Sequence, residues 1–195
     1  MTVALIVTTY NWPGALRLVL DSVKRQSRLP DELVVADDGS AEDTARVVED
    51  VLGSSPLVWR HVRHEDRGIR QARVKNLGVR HAGSDYLIFV DHDVVLHPSF
   101  VEDHLGMASP GVFLQGKRSF LPEGFTERVL NGEAFRPPGP GLRGLKNRKN
   151  ALRRPTVGSG VLPGGRHDRL RLPDPRRGVG GHRTPLGRAL GAPPG

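Results

Sequence analysis

Asp91 and Asp93 stand one residue apart, directly after the apolar run Tyr86-Leu87-Ile88-Phe89-Val90. Carboxylate oxygens are hard ligands, and Mg²⁺ or Mn²⁺ is commonly held by one or two of them together with substrate phosphates. The carboxyl end of a buried strand is a favourable place for such a pair, because open α/β sheets bind ligands there. Two more polar clusters follow apolar runs in the same way. Thr8-Thr9-Tyr10-Asn11 comes after the run that starts at Val3, and it supplies hydroxyls and a ring able to stack on a base. Asp37-Asp38-Gly39-Ser40 comes after Leu33-Val34-Val35-Ala36, and its carboxylates can accept hydrogen bonds from a base N–H or from ribose hydroxyls. Each cluster alone is also ordinary turn and capping chemistry. Three in succession suit one crevice for a nucleoside diphosphate, with a metal ion and helix amino-termini to neutralise the phosphates.

The intervening segments carry the elements needed to bring these loops together. Val3 to Thr8 reads as a first strand. Asn11 can cap a helix whose first turn holds Pro13 and which runs to about Gln26. Its apolar positions Leu16, Val19, Leu20 and Val23 keep helical spacing. Leu33 to Ala36 is a second strand, and Ser40, with Asp43 three positions on, predicts the capped start of a helix reaching about Leu52. Leu57–Val62 reads as a third strand, Ile69–His81 as a helix and Asp85–Val90 as a fourth strand. Pro98 to Met107 and Glu123 to Asn131 read as helices, with Val112–Lys117 a strand between them. Strands and helices alternating at this spacing predict βαβ units on a mostly parallel sheet, an α/β architecture.

Two motifs do not support sites of their own. Gly139, Gly141 and Gly144 fit G-x-G-x-x-G, but Pro137-Pro138 precede them where a dinucleotide site requires a strand. His61 and His64 have metal-ligand spacing, yet no cysteine or third partner accompanies them, so they read as strand-end histidines.

Charge and aromatic content divide the chain. Through Leu105 there are 12 Lys and Arg against 16 Asp and Glu; from Gly106 onward there are 17 against 5. The last aromatic residue is Phe135, and 24 of the 41 residues from Pro155 to Gly195 are Gly, Pro or Arg. A segment so poor in large apolar side chains cannot offset its ordering entropy, and disorder is expected there. The absence of cysteine excludes a disulfide framework. No apolar run reaches the roughly 18 residues of a membrane span. The expectation is a cytoplasmic protein, with a basic half able to touch the anionic inner face of a membrane. Nucleic acid is a poor candidate partner, because no aromatics interleave the arginines to stack on bases.

Val7-Thr8-Thr9-Tyr10-Asn11, Val35-Ala36-Asp37-Asp38-Gly39-Ser40, the segment from Gly68 through Ala72-Arg73 to Asn76, and Phe89-Val90-Asp91-His92-Asp93 resemble, in order and spacing, the inverting family 2 glycosyltransferases of GT-A fold. The run through His97-Pro98 and Phe100, followed by Phe113, Gln115 and Gly116, is most similar to the bacterial chondroitin-polymerase-like branch. The resemblance covers residues 1 to about 120. It implies a nucleotide-sugar-binding domain there; a basic connecting segment at 121–154 follows, and the composition marks a Gly/Pro/Arg-rich tail at 155–195. Thr8 and Tyr10 would line the nucleotide pocket and Asp38 would bind the uracil side. Arg73 would lie near the phosphates or donor sugar, Asp91 would contact ribose or sugar, and Asp93 would hold the Mn²⁺ or Mg²⁺. The middle residue, His92, would point away from the metal. The implied reaction is transfer from a UDP-sugar to a glycan or lipid-linked acceptor.

The family pattern stops after about residue 154. An inverting transfer needs a carboxylate to take the acceptor's proton, and only Asp168 and Asp174 are acidic from Asn150 onward. Neither lies in a helical pattern, so no base is assigned. The abrupt change of composition reads as a missing or out-of-frame carboxyl-terminal half. Two other readings follow from that break: an inactive nucleotide-sugar-binding fragment, and a polyanion or membrane-surface binder acting through the basic half.

Overall fold

The computed structural model describes residues 1–151 and the backbone of residues 168–171. Four parallel strands form the main sheet: β1 (Val3–Thr9), β2 (Glu32–Asp37), β3 (Trp59–Arg63) and β4 (Tyr86–Asp91), in the order β3-β2-β1-β4. The crossovers are α1 (Pro13–Lys24), α2 (Glu42–Leu52) and α3 (Gln71–His81). Every residue of β1 is buried, which is why it reads as a continuous apolar run rather than an alternating one.

The two faces of the sheet are packed by different helices. Val3, Leu5, Val7, Leu33 and Val35 meet α1 and α2 through Leu16, Val19, Leu20, Val48 and Leu52. Ile6, Val34 and Ala36 form a smaller cluster with Val74 of α3. The assignment follows strand alternation, since successive side chains leave opposite faces. Each fully buried Leu or Val contributes about 1.5–3 kcal/mol relative to exposure. α3 approaches the sheet closely at Gly78, where a Cβ would come within 2.6 Å of Ile6 Cγ2.

After β4 the chain forms β5 (Val94–Leu96), α4 (Phe100–Met107), β6 (Lys117–Phe120), α5 (Glu123–Leu130) and a 3-10 turn at Arg148–Ala151. A short strand, β7 (Asp168–Arg171), completes a second sheet of order β5-β7-β6, antiparallel to β5 and parallel to β6. These four residues lie within the Gly/Pro/Arg-rich segment. Two open strand edges supply backbone partners, and ladder hydrogen bonds need no apolar composition. The rest of the tail lies outside the described residues. Leu121, Val129 and Leu145 belong to the main core cluster, so 121–151 packs on the layer that precedes it.

Three local expectations are corrected. The strand expected at Val112–Lys117 forms instead at Lys117–Phe120, where β7 and Lys146 provide pairing partners. Phe113 is left exposed; an apolar run without a ladder partner is not a strand. The caps are also exchanged. The residues at the cap positions of α1 and α2 are Trp12 and Ala41, and neither makes a side-chain cap bond. Asn11 instead takes a positive φ of 46°, and its Oδ1 accepts the Ala41 N–H at 2.8 Å. The Ser40 hydroxyl accepts the Asn11 N–H at 2.9 Å. Each polar side chain thus satisfies the neighbouring loop and not its own helix, clasping the β1–α1 and β2–α2 loops together.

Candidate functional site

All three expected loops emerge at the carboxyl ends of adjacent strands. Thr8 lies opposite Asp91, and Thr9 opposite Asp37, in the sheet register. The Thr8 hydroxyl donates to Asp91 Oδ1 at 3.1 Å. Asp91 is half-exposed, and Lys75 of α3 places its Nζ 3.7 Å from the same oxygen. Asp93 is buried, at 5% exposure. Between them His92 turns toward the β1–α1 loop: its Nδ1 accepts the Tyr10 N–H at 3.1 Å, and its ring meets Trp12 edge-on at 5.8 Å.

These carboxylates fit a shared metal better than a caged one. Among the described residues no group of three or more His, Asp or Glu is placed to hold an ion unaided. One half-exposed and one buried carboxylate suit a Mg²⁺ or Mn²⁺ that completes its shell with phosphate oxygens and water. His61 and His64 face Asp37 and Asp38 respectively.

The β2 loop is held by those two histidines. Asp37 is buried; its Oδ1 accepts the amides of Gly39 and Ser40 at 3.1 and 2.7 Å, and its Oδ2 lies 3.1 Å from His61 Nε2. Burial alone would raise the Asp37 carboxyl, but the bonds from His61 and Ser40 outweigh it and hold the group below its ordinary value. Asp38 is also buried. Its Oδ2 accepts the Arg70 amide at 2.8 Å, and its Oδ1 lies 2.9 Å from His64 Nε2. Neither Oδ1 nor Nε2 completes an aligned hydrogen bond. Gly39, at φ 95°, has no room for a Cβ, which would meet the Asp66 backbone at 2.6 Å. The segment from His64 to Arg70 therefore lies directly on the β2 turn. Asp66 also receives the Tyr10 hydroxyl at 3.3 Å, so the half-buried Tyr10 ties the β1–α1 loop to this segment.

Of the residues singled out in the sequence, Thr8, Tyr10, Asp38, Asp91 and Asp93 come together at this end of the sheet. Arg73 is exposed on α3, and the cation that reaches a site carboxylate is Lys75, two positions on. His64, Asp66, Arg70 and Lys75 were not legible from spacing. A basic and acidic stretch after a strand is a common surface pattern, and its partners lie many positions away. A cavity of about 540 Å³ borders Asp91 and is lined also by Phe89, Gln115, Lys117, Asn147 and Asn150.

A four-stranded parallel sheet carrying these loops, with helices on both faces, is the architecture of GT-A glycosyltransferases. The model of the family described as "Glycosyl transferase family 2" matches residues 4–157, and the chain belongs to that family. It is 32% identical to a hyaluronan synthase of Pasteurella multocida over 103 residues, which is 52% of this chain and 10% of that protein. It is 31% identical to a chondroitin synthase of Escherichia coli over 121 residues, 60% of this chain and 17% of that protein. Among solved structures it is similar to the mannosyltransferase PcManGT of Pyrobaculum calidifontis in complex with GDP-Man and Mn²⁺. That match has 26% identity and a TM-score of 0.51, covering 60% of this chain and 34% of the other. The chain thus spans well under half the length of each of these relatives.

Proposed function

We propose that this chain carries the donor site of a metal-dependent, inverting glycosyltransferase that moves a sugar from a UDP-sugar to a glycan or lipid-linked acceptor. The observation that carries the reading is the convergence, at one end of one sheet, of Asp38 with the Asp91 and Asp93 pair. Asp38 is a buried carboxylate, and its oxygens keep lone pairs beyond those its protein donors use, which can receive an N–H from a nucleobase. Tyr10 offers its ring to the base. Thr8 and Lys75 fix the Asp91 carboxylate, which would take ribose or sugar hydroxyls. Asp93, with Asp91 two positions before it, would hold Mn²⁺ or Mg²⁺, a reading supported by the related mannosyltransferase in complex with GDP-Man and Mn²⁺. Such an ion, when bound, stabilises the negative charge of a departing diphosphate. Lys75 adds positive charge beside Asp91, and Arg73 would add it from the exposed surface of α3.

In the transfer, the acceptor oxygen forms a bond to the sugar C1 as the bond from C1 to the diphosphate oxygen breaks. The electron pair leaves with UDP, and the acceptor's proton passes to a base. Asn147, Asn150 and Gln115 give the neighbouring cavity the amide groups that sugar hydroxyls require, so the cavity is the proposed side of acceptor approach. Paramagnetic resonance of free Mn²⁺ tests the donor site. Mn²⁺ should be captured strongly only when UDP is present, and Asp93→Asn should abolish the capture. Equal capture by wild type and variant would contradict the assignment.

A further inference from the structure

The His64 ring lies between a guanidinium and a buried carboxylate. Arg70 Nη2 lies 2.9 Å from His64 Nδ1 and also donates to the Glu65 carbonyl. His64 Nδ1 itself is 3.0 Å from that carbonyl. An arginine side chain carries donors only and keeps its proton in proteins. One Nη2 hydrogen goes to the Glu65 oxygen, and the other requires the lone pair of Nδ1. The hydrogen of a neutral imidazole is then on Nε2, which faces Asp38 Oδ1 at 2.9 Å. The backbone of the same arginine donates to the other Asp38 oxygen at 2.8 Å. Both Asp38 oxygens thus face N–H groups organised by Arg70, one directly and one through the ring.

We propose that His64 is a positioning residue that fixes the orientation of the Asp38 carboxylate as a hydrogen-bond acceptor. It thereby sets the preference of the pocket for a base presenting an imino N–H, as uracil does, over cytosine, which presents a lone pair at that position. The proposal rests on the nucleotide reading of the site. A buried carboxylate that loses one of its two donors is no longer held in one orientation. Discrimination by a hydrogen bond requires the acceptor to be held where the base N–H arrives, so losing the ring should erode selection and not merely affinity. The misalignment of the Nε2–Oδ1 contact is what a small ring rotation on ligand binding would correct, since such bonds are often loose without ligand.

The experiment measures calorimetric affinities for UDP and CDP, with Mn²⁺, in wild type, His64→Gln and His64→Phe. Glutamine can present a carbonyl to Arg70 and an N–H to Asp38; phenylalanine fills the space and does neither. His64→Phe should lower the UDP-over-CDP preference by about tenfold or more, as loss of a hydrogen bond to a charged group does. His64→Gln should hold the preference within about threefold of wild type. A preference unchanged in His64→Phe, or lost equally in His64→Gln, overturns the proposal. If His64→Phe does not fold, Arg70→Met carries the same expectation, because it removes the guanidinium and keeps the amide. Nitrogen-15 spectra of the neutral histidine rings test the relay without nucleotide. A His64 signal protonated at Nε2 supports it, and one protonated at Nδ1 overturns it. Wild type that shows this tautomer but binds no UDP would contradict the nucleotide reading itself, and with it the selectivity claim.

Discussion

Lys75 and Arg73 share a helix, yet only Lys75 comes within ion-pair distance of Asp91. That difference sets an expectation at the scale of single residues. Lys75→Met should weaken Mn²⁺-dependent UDP binding by about tenfold, the loss typical of a charge-assisted contact. Arg73→Ala should cost less, about threefold, because exposed charges act through solvent. Calorimetric affinities of the two variants check this, and equal losses would move the phosphate-side role to both residues. The residues legible in the sequence were those whose signal is local. Asp91 and Asp93 follow their own strand, and Asp38 follows its own. His64, Arg70 and Lys75 act on carboxylates of other elements, so nothing in their immediate neighbours marks them.

At the scale of elements, the alternation of strands and helices was readable because both faces of the parallel sheet are covered, which forces long apolar runs. The caps were not readable, because Asn11 and Ser40 bond across loops rather than within their own helices. β5 was missed since three apolar residues carry no period of their own. Close packing gives one prediction here. Gly78→Ala should destabilise the fold by about 1–3 kcal/mol through overpacking against Ile6, although alanine is the better helix former; chemical denaturation measures it. The carboxylates give another. Asp37 titrates lower in the folded chain than its ordinary value, so it adds stability above the unfolded value of about 3.9 and loses it as pH falls through the folded value. Asp31 and Glu32, held low by Arg28 and Ser84 respectively, act in the same sense at the opposite end of the sheet. Melting temperature should therefore fall below about pH 4, and fall less steeply in Asp37→Asn. An identical slope in that variant would remove Asp37 from the account.

At the scale of the whole molecule, the acidic first half holds the sheet and its site, and the strongly basic composition belongs to the second half. This division was plain from the sequence; the small second sheet was not, because its strands come from three distant segments. Among the described residues no helix is long and apolar enough to cross a membrane. The division also separates two kinds of binding. Attachment of polyanions through the basic half should weaken steeply with salt and ignore Asp93, whereas nucleotide binding should depend on metal and on that residue. The most direct test is calorimetric titration of UDP into the full chain, with Mn²⁺ and with chelator, beside Asp93→Ala. The account predicts binding that requires the metal and is lost in the variant. Binding that survives chelation and the Asp93→Ala change, or none at all in correctly folded protein, would contradict a donor site built on these aspartates.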